Sequence, residues 1–292
     1  MSPRQALATG SAATVQTVAE VSIIVIAHNV REEVHACLGS VGEHAGEVSV
    51  ETILVDNGSA DDTVESVRER YPDTRIVALT RNEGGSARNH GMRVATGRYM
   101  MFLDSDALLT PGALADLVAF MDSRPDVGLV GPKLVYTNGD LQPSVRRFPP
   151  RTLPLLRRPP LSRWLEDGRA VRHHLMLDVP AEGTREAEYV IGAAQFFSRA
   201  AQEGAGELDP RIPFAPEDID WCLNIREAGF KIAYRPDATV IHAYRRTTAQ
   251  RPFSRQGLEH LYGFAYFQWK WRRKRRRLIA EGEAMQRRNW AL

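Results

Sequence analysis

Val21-Ser22-Ile23-Ile24-Val25-Ile26-Ala27 is a short, β-branched and almost unbroken apolar run, the pattern of a strand buried on both faces. The stretch that follows, about residues 31–42, sets Val34, Leu38 and Val41 on one helical stripe. A second strand over 51–55 ends at Asp56, and Ser59 with Asp62 three positions later predicts a capped helix through Arg70. Residues 75–79 read as a third strand, 86–95 as a third helix and 99–103 as a fourth strand. Such alternation predicts an α/β domain built on a mainly parallel, twisted, Rossmann-like sheet with helices on both faces. Sheets of this kind bind ligands at the carboxyl ends of their strands.

Farther along, residues 112–123 read as a helix and 127–130 as a strand. Residues 143–163 hold six Pro and six Arg, too broken for a long helix or a central strand, and predict an insertion loop. Structure resumes with Tyr189-Val190-Ile191-Gly192. A helix over 217–228 draws its apolar stripe from Ile219, Cys222, Leu223 and Ile225, and Gly229 stops it. Two short strands, 231–234 and 239–242, come next. From about residue 254 a helix rich in Leu, Tyr, Phe and Trp runs into a basic cluster.

The 292 residues fit one large α/β domain, and 43% apolar with 25% charged residues excludes disorder throughout. Two cysteines, Cys37 and Cys222, exclude a disulfide framework and a Cys-rich metal site and fit a reducing compartment. Residues 1–20 lack the apolar stretch of a signal peptide and predict a flexible tail. No uninterrupted apolar run approaches the ~20 residues that cross a bilayer. The net charge is +2, yet seven positive charges fall within residues 270–277, so the body without them is net acidic. A basic arm on an acidic body expects an anionic partner for the arm.

Polar residues crowd every expected strand end: His28-Asn29, Asp56-Asn57, Arg81-Asn82 and Asp104-Ser105-Asp106. Each alone reads equally as a turn or a helix cap; their recurrence at four strand ends marks a site. Asp104 and Asp106 are hard oxygen ligands suited to Mg2+ or Mn2+. Asp56 presents an acceptor for the N3–H of a uracil or thymine base. Gly84 and Gly85 precede a helix whose first turn bears Arg88, a setting that favours a phosphate. Glu217-Asp218-Ile219-Asp220-Trp221 puts three carboxylates at a helix start, where a general base and a helix-dipole role stand level. His242 closes a strand and gains a role only alongside the other groups, while His173 and His174 read as surface residues.

These segments in this order, from Val21 to Asn29 through Ile53-Leu54-Val55-Asp56-Asn57-Gly58-Ser59, Arg81 to Gly91, Leu103-Asp104-Ser105-Asp106, Gly192-Ala193-Ala194 and the Glu217–Cys222 stretch with Gly229, resemble the family 2 inverting glycosyltransferases of the GT-A fold. The resemblance spans about residues 21–245. It implies a nucleotide-diphosphate-sugar donor bound by residues 21–110, an acceptor half over 111–245 with an insertion at 140–185, and a C-terminal helical extension at 246–292. Carried over by position, Ala27 and Asn29 line the base pocket and Asp56 bonds the base. Asn82 and Arg88 lie along the nucleotide and its phosphates, and Ser105, Gly192, Glu217 and Trp221 belong to the substrate site. Asp104 faces the ribose and sugar, Asp106 is the main metal ligand with Asp104, His242 approaches the metal, and Asp218 is the catalytic base. Many relatives carry an aromatic residue near His28, which this sequence lacks. Residues 142–149 look most like rhamnosyltransferase-type members that extend cell-envelope polysaccharides, commonly with dTDP-L-rhamnose; a UDP-sugar is the alternative donor.

The aromatic residues Tyr262, Phe264, Tyr266, Phe267, Trp269 and Trp271 beside the basic cluster favour a water–lipid boundary. The expectation is a cytoplasmic protein, peripheral at the inner face of the membrane through 262–277, acting on a glycan or a lipid-linked acceptor and free to form a homodimer. The carboxylate-rich body argues against nucleic acid. A nucleotidyltransferase would need a Gly-rich, Lys-containing loop after the first strand, where His28-Asn29-Val30-Arg31-Glu32-Glu33 stands. A non-catalytic nucleotide-sugar-binding protein is the remaining alternative.

Overall fold

Val21, Ile23, Ile24 and Val25 of β1 (Val21–Ala27) are fully buried, and complete burial of such a side chain contributes about 1.5–3 kcal/mol. A strand so placed needs a partner on each edge. In the computed structural model, which describes residues 19–149, 168–243 and 255–292, the partners are β2 (Val50–Asp56) and β4 (Tyr99–Asp104), both parallel to β1. β3 (Arg75–Ala78) extends the parallel layer beyond β2. The connections are α1 (Arg31–His44), α2 (Thr63–Arg70) and α3 (Arg88–Val94), the last entered through a 3-10 turn at Gly84–Ala87.

The register decides where chemistry can gather. Ala27 stands beside Asp56, Asp56 beside Ala78, and Ile26 beside Asp104, so the polar ends of neighbouring strands meet along one rim. Beyond β4 the layer becomes mixed. It takes in β5 (Ala107–Leu109), β6 (Val127–Val135), β11 (Ala194–Ser198) and β12 (Lys231–His242) in the order β3-β2-β1-β4-β11-β6-β12-β5. β11 runs antiparallel to β4 and β6, whereas β12 runs parallel to β6 and antiparallel to β5. β7 (Leu141–Gln142) pairs with β6 and β9 (Arg185–Glu186) with β12, while β8 (Val145–Arg146) and β10 (Tyr189–Val190) form a separate ribbon. The remaining helices are α4 (Ala113–Ser123), α5 (Arg169–His174), α6 (Arg199–Ala205), α7 (Glu217–Glu227), α8 (Arg255–Lys270) and α9 (Arg275–Arg287).

Several expectations are corrected. Parallel pairing holds for β3-β2-β1-β4 and gives way to a mixed sheet beyond it, because β11 enters antiparallel between β4 and β6, held by Phe197 against Phe102 and Phe196 against Tyr99 with ring centroids 4.7 and 5.2 Å apart. The two short strands at 231–242 are one, with a register shift between Arg235 and Thr239 that accommodates Pro236 and Asp237. Ser59 caps no helix: its Oγ accepts from the Asn29 backbone N–H, and Asp61 takes the Thr63 N–H at the start of α2. His174 is buried against Tyr189, its Nδ1 2.7 Å from the Arg147 carbonyl, rather than at the surface. The helix expected from about 254 is two helices, α8 and α9, separated by a turn at 271–274. The expected tail before residue 19, residues 150–163 of the Pro- and Arg-rich stretch and residues 246–254 of the extension lie outside the described residues. Cys37 and Cys222 are both free and buried.

α3 packs on β1 and β2 with Gly91 at the contact, where an added Cβ would come 2.5 Å from Ile24 Cγ2 and 3.1 Å from Val55 Cγ2. Gly91→Ala should therefore lower stability by about 1–3 kcal/mol through overpacking, read as a lower midpoint in urea with an unchanged slope.

Candidate active site at the strand ends

The β1 and β2 ends are tied together first. Asn29, with φ +55°, accepts the Ala60 N–H on Oδ1 at 2.7 Å and donates its own backbone N–H to Ser59 Oγ at 2.9 Å. Asp56 is 3% exposed; its Oδ2 accepts the Ser59 N–H at 3.1 Å, and its Oδ1 is buried without a partner. An orphaned buried acceptor of this kind costs stability unless something donates to it. Ala27 is buried, and its carbonyl takes the Asn57 N–H at 2.8 Å.

Asn57 then organises the loop after β3. Its side chain donates to Asn82 Oδ1 and the Gly84 carbonyl, both at 3.1 Å, and accepts from the Glu83 N–H at 2.7 Å. Asn82 also accepts the Gly84 N–H at 2.9 Å. Asn82 Oδ1 thereby helps shape the loop. The glycine pair makes no anion cradle, because the Gly85 N–H is spent on the Pro213 carbonyl at 2.7 Å, and a Cβ on Gly84 would sit 1.9 Å from that same oxygen. Glycine is required there by close backbone approach.

Arg88 faces the neighbouring carboxylates. At 6% exposure it is buried, and its Nη2 donates to Asp104 Oδ1 at 2.5 Å while Nη1 lies 3.9 Å from Glu217 Oε1. Its guanidinium rests 5.5 Å from the Phe102 ring centroid. Arg88 thereby pairs with the Asp104 carboxylate.

After Asp104 the chain turns through half-buried Ser105 and Asp106 into β5. β5 pairs with the end of β12, setting His242 opposite Ala107, and the Ala243 N–H donates to the Asp106 carbonyl at 3.0 Å. Asp104, Asp106 and His242 consequently offer one ligand atom each within 4.8 Å of one another. His242 Nε2 is 3.2 Å from Asp106 Oδ1, and Nδ1 is 2.8 Å from Gln142 Oε1. Burial opposes a charged His242, but the hydrogen bond to Asp106 and the charges of both aspartates outweigh it and raise its pKa. Two carboxylates and an imidazole whose second nitrogen faces an amide oxygen suit a divalent cation of the Mg2+ or Mn2+ type. Gln142, which fixes the imidazole, opened the 142–149 stretch in the sequence reading but was given no site role there; its partner His242 lies 100 residues away.

β11 brings the other half of the site. Its pairing begins at Ala194 opposite Leu103, and the Asp104 N–H donates to the Ala193 carbonyl at 2.9 Å. Gly192 is thereby held between Arg88 and α7: an added Cβ would lie 3.8 Å from both Arg88 Nη2 and Asp218 Cβ. Asp218 Oδ1 accepts the Ile219 N–H at 2.8 Å. Burial raises the Asp218 pKa, while Arg146, the backbone N–H groups of Ile219 and Gly192, and Arg88 favour its anion. Glu217 is pushed up to about 8 by burial and the neighbouring Asp218 charge, with Arg88 pulling the other way. Burial thus raises both carboxylates of the pair, and different neighbours oppose it at each. Trp221, expected in the substrate site, is fully buried and packs on Phe102 and Phe197 at 6.2 and 5.5 Å between centroids. It lies beneath the site as core.

The sequence profile of glycosyl transferase family 2 matches residues 22–176, which spans the rim from β1 through the Asp104-Ser105-Asp106 turn. The chain belongs to glycosyl transferase family 2. Among proteins similar to this glycosyltransferase, the N-acetylglucosaminyl-diphospho-decaprenol L-rhamnosyltransferase of Mycobacterium tuberculosis is 25% identical over 228 residues, 74% of each chain. The pre-mycofactocin glycosyltransferase of M. tuberculosis is 29% identical over 201 residues, 66% of this chain and 37% of its own. The fold is shared with GalNAc-T7 solved with UDP, GalNAc and Mn2+ (TM-score 0.60, 18% identity, 79% of this chain and 45% of that one). It is shared as well with a mannosyltransferase from Pyrobaculum calidifontis in complex with GDP-Man and Mn2+ (TM-score 0.56, 21% identity, 86% and 64%). This chain spans less than two thirds of either solved structure. The expected GT-A architecture and glycosyltransferase class are borne out.

Because Glu217 is raised when folded, the stability it lends is full below its ordinary pKa near 4.3 and is lost as pH rises toward about 8. Glu217→Gln should flatten the fall in unfolding free energy between pH 6 and 8 by up to about 1.4 kcal/mol per pH unit, measured by urea titration at each pH.

Proposed function

We propose that this enzyme transfers a sugar, with inversion, from a nucleotide-diphosphate donor to a hydroxyl of a glycan or polyprenyl-linked acceptor in cell-envelope polysaccharide synthesis. The observation that carries the reading is the convergence of Asp104, Asp106 and His242 with Arg88, Gly192 and Asp218 on one rim. Residues 21–110 form the donor half, with the unpartnered Asp56 Oδ1 offered to a base N–H and Asn29 at the same edge. Residues 111–245 form the acceptor half. Asp104, Asp106 and His242 would hold Mg2+ or Mn2+, which when bound offsets the negative charge collecting on the departing diphosphate.

The chain's own groups then divide the work. Arg88 keeps Asp104 aimed at the donor side, and Gly192 leaves room between Arg88 and Asp218 for the reacting sugar. Asp218, raised by burial while Arg146 and two backbone N–H groups favour its anion, takes the proton from the acceptor hydroxyl as that oxygen attacks the anomeric carbon. One base and no protein nucleophile give a single displacement. The similarity to a decaprenol-linked rhamnosyltransferase supports dTDP-L-rhamnose as donor and a lipid-linked acceptor. The UDP in the GalNAc-T7 structure keeps a UDP-sugar as the alternative.

Asp218→Asn should cut transfer by about 10²-fold or more while dTDP or UDP binding with Mn2+, followed by calorimetry, stays within about twofold. Asp106→Asn should weaken Mn2+ binding in an electron-spin-resonance titration. In the parent, turnover should fall on the acid side as pH drops through the raised Asp218 pKa. Substantial turnover by Asp218→Asn would refute the base assignment.

Placement at the inner face of the membrane is the second part of the reading. No helix among the described residues is long and apolar enough to cross a membrane. Lys270, Lys274 and Arg277 pair with carboxylates of the body, Lys274 and Arg277 while about half exposed; Arg272, Arg273 and Arg276 are exposed, Arg272 over the exposed Trp269 ring, and Leu261, Tyr262 and Ile279 are exposed on the same extension. This narrower face supports contact with an anionic leaflet at about 1 kcal/mol per cation. Replacing Arg272, Arg273 and Arg276 together by Ser should lower binding to phosphatidylserine vesicles by up to about 100-fold; unchanged co-sedimentation would count against it.

A further inference from the structure

Asp220 lies two residues beyond Asp218 on α7 and is 1% exposed. A buried carboxylate is costly unless paired and hydrogen-bonded. Its partners come from 50 residues away, where α8 ends: Lys270 Nζ lies 2.8 Å from Oδ2, and the Trp271 indole N–H donates to Oδ1 at 2.7 Å. Both oxygens are thus held from the extension.

The same ammonium reaches a second place. Lys270 Nζ is 3.1 Å from Asp209 Oδ2, in the loop that leads into α7. That loop is fastened to the donor half at two points: Leu208 exchanges paired hydrogen bonds with the Asn89 side chain at 2.9 and 3.0 Å, and Pro213 accepts the Gly85 N–H at 2.7 Å. Asn89 follows Arg88, the residue that aims Asp104. One side chain therefore joins the first turn of α7 to the segment beside Arg88. The last turn of α7 is gripped separately by Arg226 with Glu281 at 2.9 Å and by Lys274 with Glu227 at 2.5 Å.

We propose that Lys270 and Trp271 are positioning residues for glycosyl transfer: by holding Asp220 they fix the first turn of α7, and with it Asp218, against the Arg88 and Asp104 side of the site. The proposal rests on the reading of Asp218 as base. Neither residue faces the metal cluster or the gap at Gly192, so their loss should act on the chemical step and spare donor binding. Displacement of a reacting group by about 1 Å can cost about 100-fold in rate.

The test uses the full chain with Mn2+ and whichever dTDP- or UDP-sugar of a panel supports turnover. Lys270→Met, which keeps most of the stem, and Trp271→Phe, which removes one hydrogen-bond donor, should each lower kcat by about 10- to 100-fold. Calorimetric affinity for dTDP or UDP should stay within about twofold, and Lys270→Arg should recover most of the kcat lost in Lys270→Met. Lys274→Ala, at the far end of α7, should keep the parental kcat. If Lys270→Met fails to fold, Trp271→Phe, judged by far-ultraviolet dichroism and Tm, carries the test. Parental kcat in both variants would overturn the proposal, as would an equal loss in Lys274→Ala or a parallel loss of nucleotide affinity. Asp218→Asn separates the two readings: retained turnover there rejects the base, while inactive Asp218→Asn beside fully active Lys270→Met and Trp271→Phe rejects the strap alone.

Discussion

Water is kept from both faces of β1, and the rest of the molecule follows from that. A strand with Val21, Ile23, Ile24 and Val25 fully buried cannot slip along its neighbours, since a shift of one residue would turn every side chain to the opposite face. Register therefore fixes Ala27 beside Asp56 and Ile26 beside Asp104. Val21, Ile23, Ile24 and Val25 carry no polar side chain, yet their register decides that the first polar residues after each strand arrive at one height.

At that height the main problem is electrostatic. Asp104, Asp106, Glu217 and Asp218 all belong to one neighbourhood, and like charges so close raise one another's proton affinity. The fold answers with a buried cation, a buried imidazole and backbone donors. Arg88 pairs with Asp104 and approaches Glu217; His242 faces Asp106; burial raises Glu217, while the backbone N–H groups of Ile219 and Gly192 favour charge on Asp218. The acidic crowding is an arrangement in which each carboxylate has a different environment, the condition for giving each a different task.

Much of this was legible because apolar periodicity and terminal polar residues report directly on strands and their ends. β1, β2, β3 and β4, with Asp56, Asp104 and Asp106 at their edges, follow from it. What escaped depends on partners distant in sequence. β11 is five residues long and is defined by slotting between β4 and β6, which no local pattern encodes. Arg88 stood out in the first turn of a helix after two glycines, but its burial over Phe102 and its pairing with Asp104 depend on residues 14 and 16 positions away. Trp221 was expected in the substrate site with its neighbouring carboxylates, but Phe102 and Phe197 claim its ring. The seven clustered cations read as one basic arm, and the acidic residues that pair with three of them lie 47 to 61 positions earlier or just beyond them.

β12 carries a consequence of its own. Between Arg235 and Thr239 it advances four residues while β6 advances one, from Pro132 to Lys133, so three residues are looped out of the ladder. An odd surplus changes the phase of the strand's up-and-down alternation, and His242 lies downstream of that change. The looped triplet works as a spacer whose parity sets the direction of the imidazole: losing or gaining one residue there would leave the β-ladder free to re-form while turning the ring to the reverse side of the layer. Tolerance to length variation, ordinarily a property of bends in a chain, is withdrawn from this one.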